Sequence, residues 1–112
     1  MRITTEEKGN VLVVRPQGEL DFFSADELRQ ILRQECDAGR RALLLDLGEI
    51  RYIDSSGLGL LIEIQHTFNT AGGRMALASI VPDVVHIFRN TSLIRFFDVH
   101  PDELAALAAL EE

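Results

Sequence analysis

Along this chain, short apolar runs of strand length alternate with longer stretches in which apolar residues recur at helical spacing. A weak strand pattern covers residues 3–7, and the turn residues Gly9 and Asn10 follow it. Residues 11–15 are β-branched and short, and Pro16 limits their continuation, so they read as the second arm of a hairpin. Ser24 with Glu27 three residues later carries a capping-box signature, and Leu28, Ile31, Leu32 and Cys36 fall at i, i+3, i+4 and i+8. Gly39 stands just past the last periodic position and stops this helix. Cys36, on the apolar stripe, reads as a small core hydrophobe rather than a reactive thiol. Residues 42–47 form an apolar run of strand length, the pattern of a strand buried on both faces; periodicity alone does not separate it from a short buried helix.

Residues 48–54 read as a loop or short return, and a helix is predicted over 55–70. On that helix Leu58, Leu61, Ile62, Gln65 and Phe68 follow the helical repeat, while Leu60 and Ile64 widen the apolar surface enough for two packing neighbours. Gly72 and Gly73 end it, and residues 75–78 read as a central strand. Pro82 suits the first position of a helix carrying Val84, Val85 and Phe88, with Asn90 near its end. Residues 96–99 read as a last short strand. Pro101 starts a terminal helix, with Asp102 and Glu103 at its positive end and Leu104, Leu107 and Leu110 as its apolar stripe. The predicted order is β-β-α-β-α-β-α-β-α. Strands alternating with helices imply an α/β fold, a small sheet flanked by about four helices, with chemistry expected at helix N-termini.

Length and charge narrow the possibilities. The 112 residues make one domain, 1–112, since domains most often run to about 100–150 residues. The 11 Lys+Arg against 18 Asp+Glu leave a net charge of −7, with no basic run, which argues against nucleic-acid binding and against docking on an anionic membrane. The longest apolar stretches fall far short of the roughly 18 residues of a membrane span, so no membrane insertion is predicted. No signal-peptide core follows Met1, which predicts a cytoplasmic protein, and the single Cys36 fits a reducing compartment. His66, His86 and His100 are scattered without metal-ligand spacing, and no phosphate-binding or dinucleotide motif occurs, so neither metal nor cofactor is predicted.

The one dense local signal is Asp54-Ser55-Ser56-Gly57-Leu58-Gly59, which places a carboxylate, two hydroxyls and two glycines at a helix start. Each glycine inside a helix costs about 0.8–1 kcal/mol against alanine, more than a purely structural start requires. Two readings stay open here. Ser55 or Ser56 caps the helix; or the missing Cβ atoms let a nucleotide or another backbone approach a serine that is itself phosphorylated, at a helix end that favours the added charge. A serine hydrolase is the enzymatic alternative, without a GxSxG motif or a histidine marked as its base; no catalytic residue is assigned.

Gly18-Glu19-Leu20-Asp21, then Ser24-Ala25-Asp26-Glu27-Leu28, then Tyr52-Ile53-Asp54-Ser55-Ser56-Gly57-Leu58-Gly59 resemble a STAS domain, and more narrowly the bacterial anti-sigma factor antagonists. The resemblance continues through Ala71-Gly72-Gly73, residues 84–88 and Thr91-Ser92-Leu93. It implies a partner-switching protein. The unphosphorylated form would bind an anti-sigma factor that is also a serine kinase, releasing the sigma factor. Phosphorylation at Ser55 would end that binding, and a metal-dependent serine phosphatase would restore it. The resemblance places Asp21, in an exposed loop, on the kinase-facing surface and makes Ser56 a neighbour that helps cap or orient the helix. Asp54, Gly57, Leu58 and Gly59 complete the implied partner-binding set. It also admits a STAS subunit of a lipid-transport or stress-sensing complex. Two departures stand out: Ser92 where many members have glycine, and the apolar Phe22-Phe23, of which one is expected in the core and one exposed.

Overall fold

A computed structural model describes residues 1–111. Strands β1 (Arg2–Lys8) and β2 (Val11–Leu20) form the expected hairpin, joined by Gly9 and Asn10, with Lys8 opposite Val11. Helix α1 (Ala25–Asp37) leads to β3 (Ala42–Asp46), then β4 (Ile50–Ile53), α2 (Ser55–Thr70), β5 (Arg74–Ala78) and α3 (Pro82–Asn90). A 3-10 turn at Ile94–Phe96, β6 (Asp98–His100) and α4 (Glu103–Leu110) complete the order. The sheet runs β1-β2-β3-β5-β6, antiparallel at β1-β2 and parallel elsewhere.

Period-two alternation divides the core. Leu12, Val14, Leu43, Leu45, Met75 and Leu77 face α1, α2 and α3, where Leu28, Leu32, Leu61, Ile64, Phe68, Val84 and Phe88 meet them. The opposite face presents Val11, Val13, Leu44, Ala76 and Ala78 to Ala106 and Leu110 of α4. Burial on both faces is why residues 42–47 read as an apolar run. Cys36 is buried against the three-helix layer, as its stripe position predicts.

Four expectations are corrected. Pro16 does not end β2, which continues to Leu20. β2 pairs with β3 as far as Val14↔Leu45 and with β4 from Gly18↔Ile50, so Pro16 lies where one side of the strand changes partner. The stretch 48–54 is not only a loop: Ile50 and Ile53 are buried and β4 runs parallel to β2, with a register shift at Gly18, whose φ of +116° suits glycine. The last strand starts at Asp98, because residues 94–96 turn as a 3-10 segment. In α4 the stripe holds at Leu110, which is buried, and at Leu107, which packs partly buried beside it, but fails at Leu104, which is 79% exposed: the small Ala106 takes the remaining buried position and lets the helix lie close to the sheet. Ser92 adopts φ +59°, the left-handed region that favours glycine, which accounts for glycine being the expected residue there.

Candidate functional site

The site lies where two adjacent parallel strands finish together. β2 and β4 end in register at Leu20↔Ile53, and Asp54 N–H donates to the Leu20 carbonyl at 3.2 Å. From these neighbouring ends the chain enters α1 and α2, so two helix starts stand side by side at the carboxyl edge of the sheet. Such edges are where open α/β sheets place their ligands.

Asp54, and neither serine, caps α2. Its backbone is extended, and its Oδ1 accepts the Gly57 N–H at 3.0 Å. Its Oδ2 accepts the Phe22 N–H at 3.2 Å, so one carboxylate fastens both the helix and the neighbouring loop. Aspartate ranks with serine as an N-cap, so the signal was present; three consecutive capping residues left the choice to tertiary contacts. Ser55 is therefore the first helical residue and is exposed, with Ser56 half-buried beside it.

Gly57 and Gly59 separate in role. Gly57 is buried, and a Cβ built on it would stand 2.4 Å from the Leu20 carbonyl oxygen and 2.7 Å from Ile53 Cγ1. The close backbone approach that the glycines suggested is thus made by this chain's own strand end. Gly59 is exposed, with nothing within 4 Å of a Cβ. Leu58 is buried in the core.

The loop before α1 is equally fixed. Asp21 Oδ1 accepts the N–H groups of Phe23 and Ser24, each at 3.0 Å, and the Asp21 carbonyl accepts Ala25 N–H at 2.9 Å. Asp21 thus plays the part expected of Ser24. Ser24 makes no side-chain cap; its Oγ donates to the Glu19 carbonyl at 2.7 Å and accepts Asp21 N–H at 3.0 Å, closing the loop. This corrects the capping box and also the exposed Asp21, which is half-buried. Phe22 and Phe23 are both exposed, at 71% and 88%, where one was expected in the core. Tyr52, at the end of β4, is 48% exposed on the same edge. Between the two helix starts runs a groove lined by Phe22, Ala25, Ser56, Gly59 and Leu60, walled by Arg29, which bridges Asp26 at 3.0 Å and Glu63 at 3.1 Å.

The histidines lie elsewhere. His66 is eleven residues beyond Ser55 on α2, an axial rise of about 16 Å, and His100 Nε2 is 2.9 Å from Asp98 Oδ1 on β6. Among the described residues no three His, Cys, Asp or Glu side chains converge as a metal site, and no helix is long and apolar enough to cross a membrane.

The family profile described as the STAS domain matches residues 2–106. The chain belongs to the STAS domain family. This STAS domain is 31% identical over 116 residues to an anti-sigma F factor antagonist of Paenibacillus polymyxa, spanning 99% of this chain and 96% of that protein. Its fold matches an anti-sigma factor antagonist from Mycobacterium paratuberculosis with TM-score 0.89 at 24% identity, over 99% of this chain and 94% of that one. It also matches the anti-sigma factor antagonist SpoIIAA in its unphosphorylated form, with TM-score 0.76 at 19% identity over 98% of both chains. The phosphorylated form of SpoIIAA, from Bacillus, gives TM-score 0.73 at 21% identity, over 96% of this chain and 99% of that one. At these identities the structural matches speak for the shared fold.

Proposed function

We propose that this STAS domain is an anti-sigma factor antagonist switched by phosphorylation of Ser55. Unphosphorylated, it binds an anti-sigma factor that is also a serine kinase and so releases the sigma factor; phosphorylated, it lets go until a metal-dependent phosphatase restores it. The observation that carries the reading is the position of Ser55. It is exposed as the first residue of α2, directly after the capping Asp54, on an edge that also exposes Phe22, Phe23 and Tyr52. The name of the relative from Paenibacillus polymyxa, an anti-sigma F factor antagonist, supports the antagonist part of the reading.

The physics follows from charge. A phosphate adds about −1.5 to −2 at neutral pH, beside Asp54 and Asp21. An interface built around a neutral hydroxyl must then desolvate an unpaired charge or separate, at several kcal/mol. The helix N-terminus meanwhile tolerates its own phosphate, so the switch acts on association rather than folding.

Incubation with the anti-sigma factor kinase of the same genome and ATP, with mass mapping of the product, tests this directly. Phosphate is expected on Ser55 in wild type and in Ser56→Ala, and on neither serine in Ser55→Ala. Since Asp54 supplies the cap, Ser55→Ala should keep its melting temperature and its binding by calorimetry, whereas the phosphorylated protein should bind at least tenfold more weakly. Phosphate on Ser56, or equal binding by both forms, would refute the assignment.

A further inference from the structure

Two phenylalanines in succession stand in solvent at 71% and 88% exposure. The backbone that carries them is fixed. The Phe22 N–H is held by Asp54 Oδ2 and the Phe23 N–H by Asp21 Oδ1, and Ser24 Oγ ties the loop back to the Glu19 carbonyl. The rings pack edge-to-face, with centroids 5.5 Å apart and planes at 89°. A loop whose hydrogen bonds are satisfied from within, and whose apolar side chains point outward, has its ordering entropy already spent. Exposed aromatics on a backbone held in this way are what interface hot spots are made of.

We propose that Phe22 and Phe23 are the anchor by which this chain docks on its anti-sigma factor, and that the anti-sigma factor receives them in an apolar pocket with a basic rim. The rim follows from charge complementarity. The cleft beside Phe23 is lined by Glu19, Asp21, Glu27 and Arg51, and the groove beside Phe22 by Asp26, Arg29 and Glu63, so each flank is net acidic. The anchor rests on the partner-switching reading above but not on which serine is modified. Because Asp54, the residue before Ser55, holds the Phe22 N–H, the loop that carries the rings is tied to the start of α2, and docking there brings the Ser55 hydroxyl to the partner. The rings contribute to encounter and affinity and stand outside the transfer of phosphate.

Calorimetry and phosphorylation kinetics of the full chain with that purified anti-sigma factor kinase, on wild type, Phe22→Ala, Phe23→Ala and Phe96→Ala, decide the matter. Phe96 is 59% exposed beside Gln65, in the C-terminal half of α2, and controls for loss of any surface ring. Each loop variant should keep its melting temperature, lose at least tenfold in Kd and raise KM at unchanged kcat, while Phe96→Ala matches wild type. Affinity of wild type should fall as salt rises, as a basic rim requires. Loop variants within twofold of wild type, or a loss equalled by Phe96→Ala, would overturn the anchor. If these losses appear but phosphate maps to a residue other than Ser55, the anchor stands and the Ser55 assignment falls. Failure of wild type to bind the kinase at all would remove the partner-switching reading and the anchor with it.

Discussion

Asp21 and Asp54 hold the site together through backbone N–H groups rather than through counter-ions. Asp54 takes one from Gly57 and one from Phe22, and Asp21 takes those of Phe23 and Ser24. The two acidic residues at the helix starts are thus the framework of this edge. At about 0.5–1.5 kcal/mol net per hydrogen bond, losing two should cost Asp21→Ala about 1–3 kcal/mol, so it should melt earlier as well as binding its partner more weakly. Asp21→Asn keeps an acceptor oxygen and should recover most of that stability while lacking the charge. Comparing the two by thermal denaturation and calorimetry separates loop geometry from electrostatics. An Asp21→Ala protein as stable as wild type would show that the loop does not depend on this carboxylate. The pattern of capping residues was visible at this scale, but not which residue caps. Local rules rank Asp54, Ser55 and Ser56 alike, and it is the Leu20 carbonyl, accepting Asp54 N–H, that fixes the start of α2.

At the scale of elements, α2 owes its position to Gly57. A methyl there would press on the Leu20 carbonyl at 2.4 Å, which backbone cannot easily yield, so Gly57→Ala should destabilise by about 1–3 kcal/mol. Gly59→Ala meets open space on an exposed helical turn and should stabilise by up to about 0.8–1 kcal/mol. Urea denaturation of the two variants should therefore move in opposite directions. Equal shifts would mean that the contact with the end of β2 does not set the helix. The extent of α2 was legible because six apolar residues repeat along it, and its end because Gly72 and Gly73 follow. β4 was not legible. Four residues with only Ile50 and Ile53 buried carry too little periodicity, and the strand exists because β2, once past Pro16, has an edge to offer.

Across the whole molecule, α4 is fastened to the sheet by charge as well as by Ala106 and Leu110. Arg15 of β2 holds Glu103 in a fork, Nε to Oε2 at 2.7 Å and Nη2 to Oε1 at 2.9 Å, between residues 88 apart in sequence. The guanidinium, helped by Asp46, lowers the Glu103 carboxyl to about 2, while burial, with Glu103 beside it, raises Asp46 to about 6. The signs are opposite. Glu103 contributes stability above its ordinary 4.5 that is lost as pH falls towards 2. Asp46 binds its proton more tightly folded than unfolded, so its contribution is full below 3.8 and is lost as pH rises through about 6. Asp46→Asn keeps an acceptor for the Gly48 N–H, bound at 2.8 Å, without the charge. It should be more stable than wild type at pH 7–8, with the difference shrinking from pH 6 to pH 4 in chemical denaturation. Curves that stay parallel over that range would contradict the coupling.

Local periodicity determined the α/β class, most of the elements and the placement of Asp54-Ser55-Ser56-Gly57 at a helix start, because amphipathic spacing and turn residues act over a few positions. Tertiary structure decided what depends on distant partners. It chose Asp54 as the cap and Asp21 as the brace of the first loop. It drew β4 to the free side of β2 and turned Leu104 outward in favour of Ala106. It also left Phe22 and Phe23 in solvent: hydrophobicity states that a ring gains by burial, but only the hydrogen bonds of loop 21–24 and the finished core determine that these two have nowhere inside this chain to go.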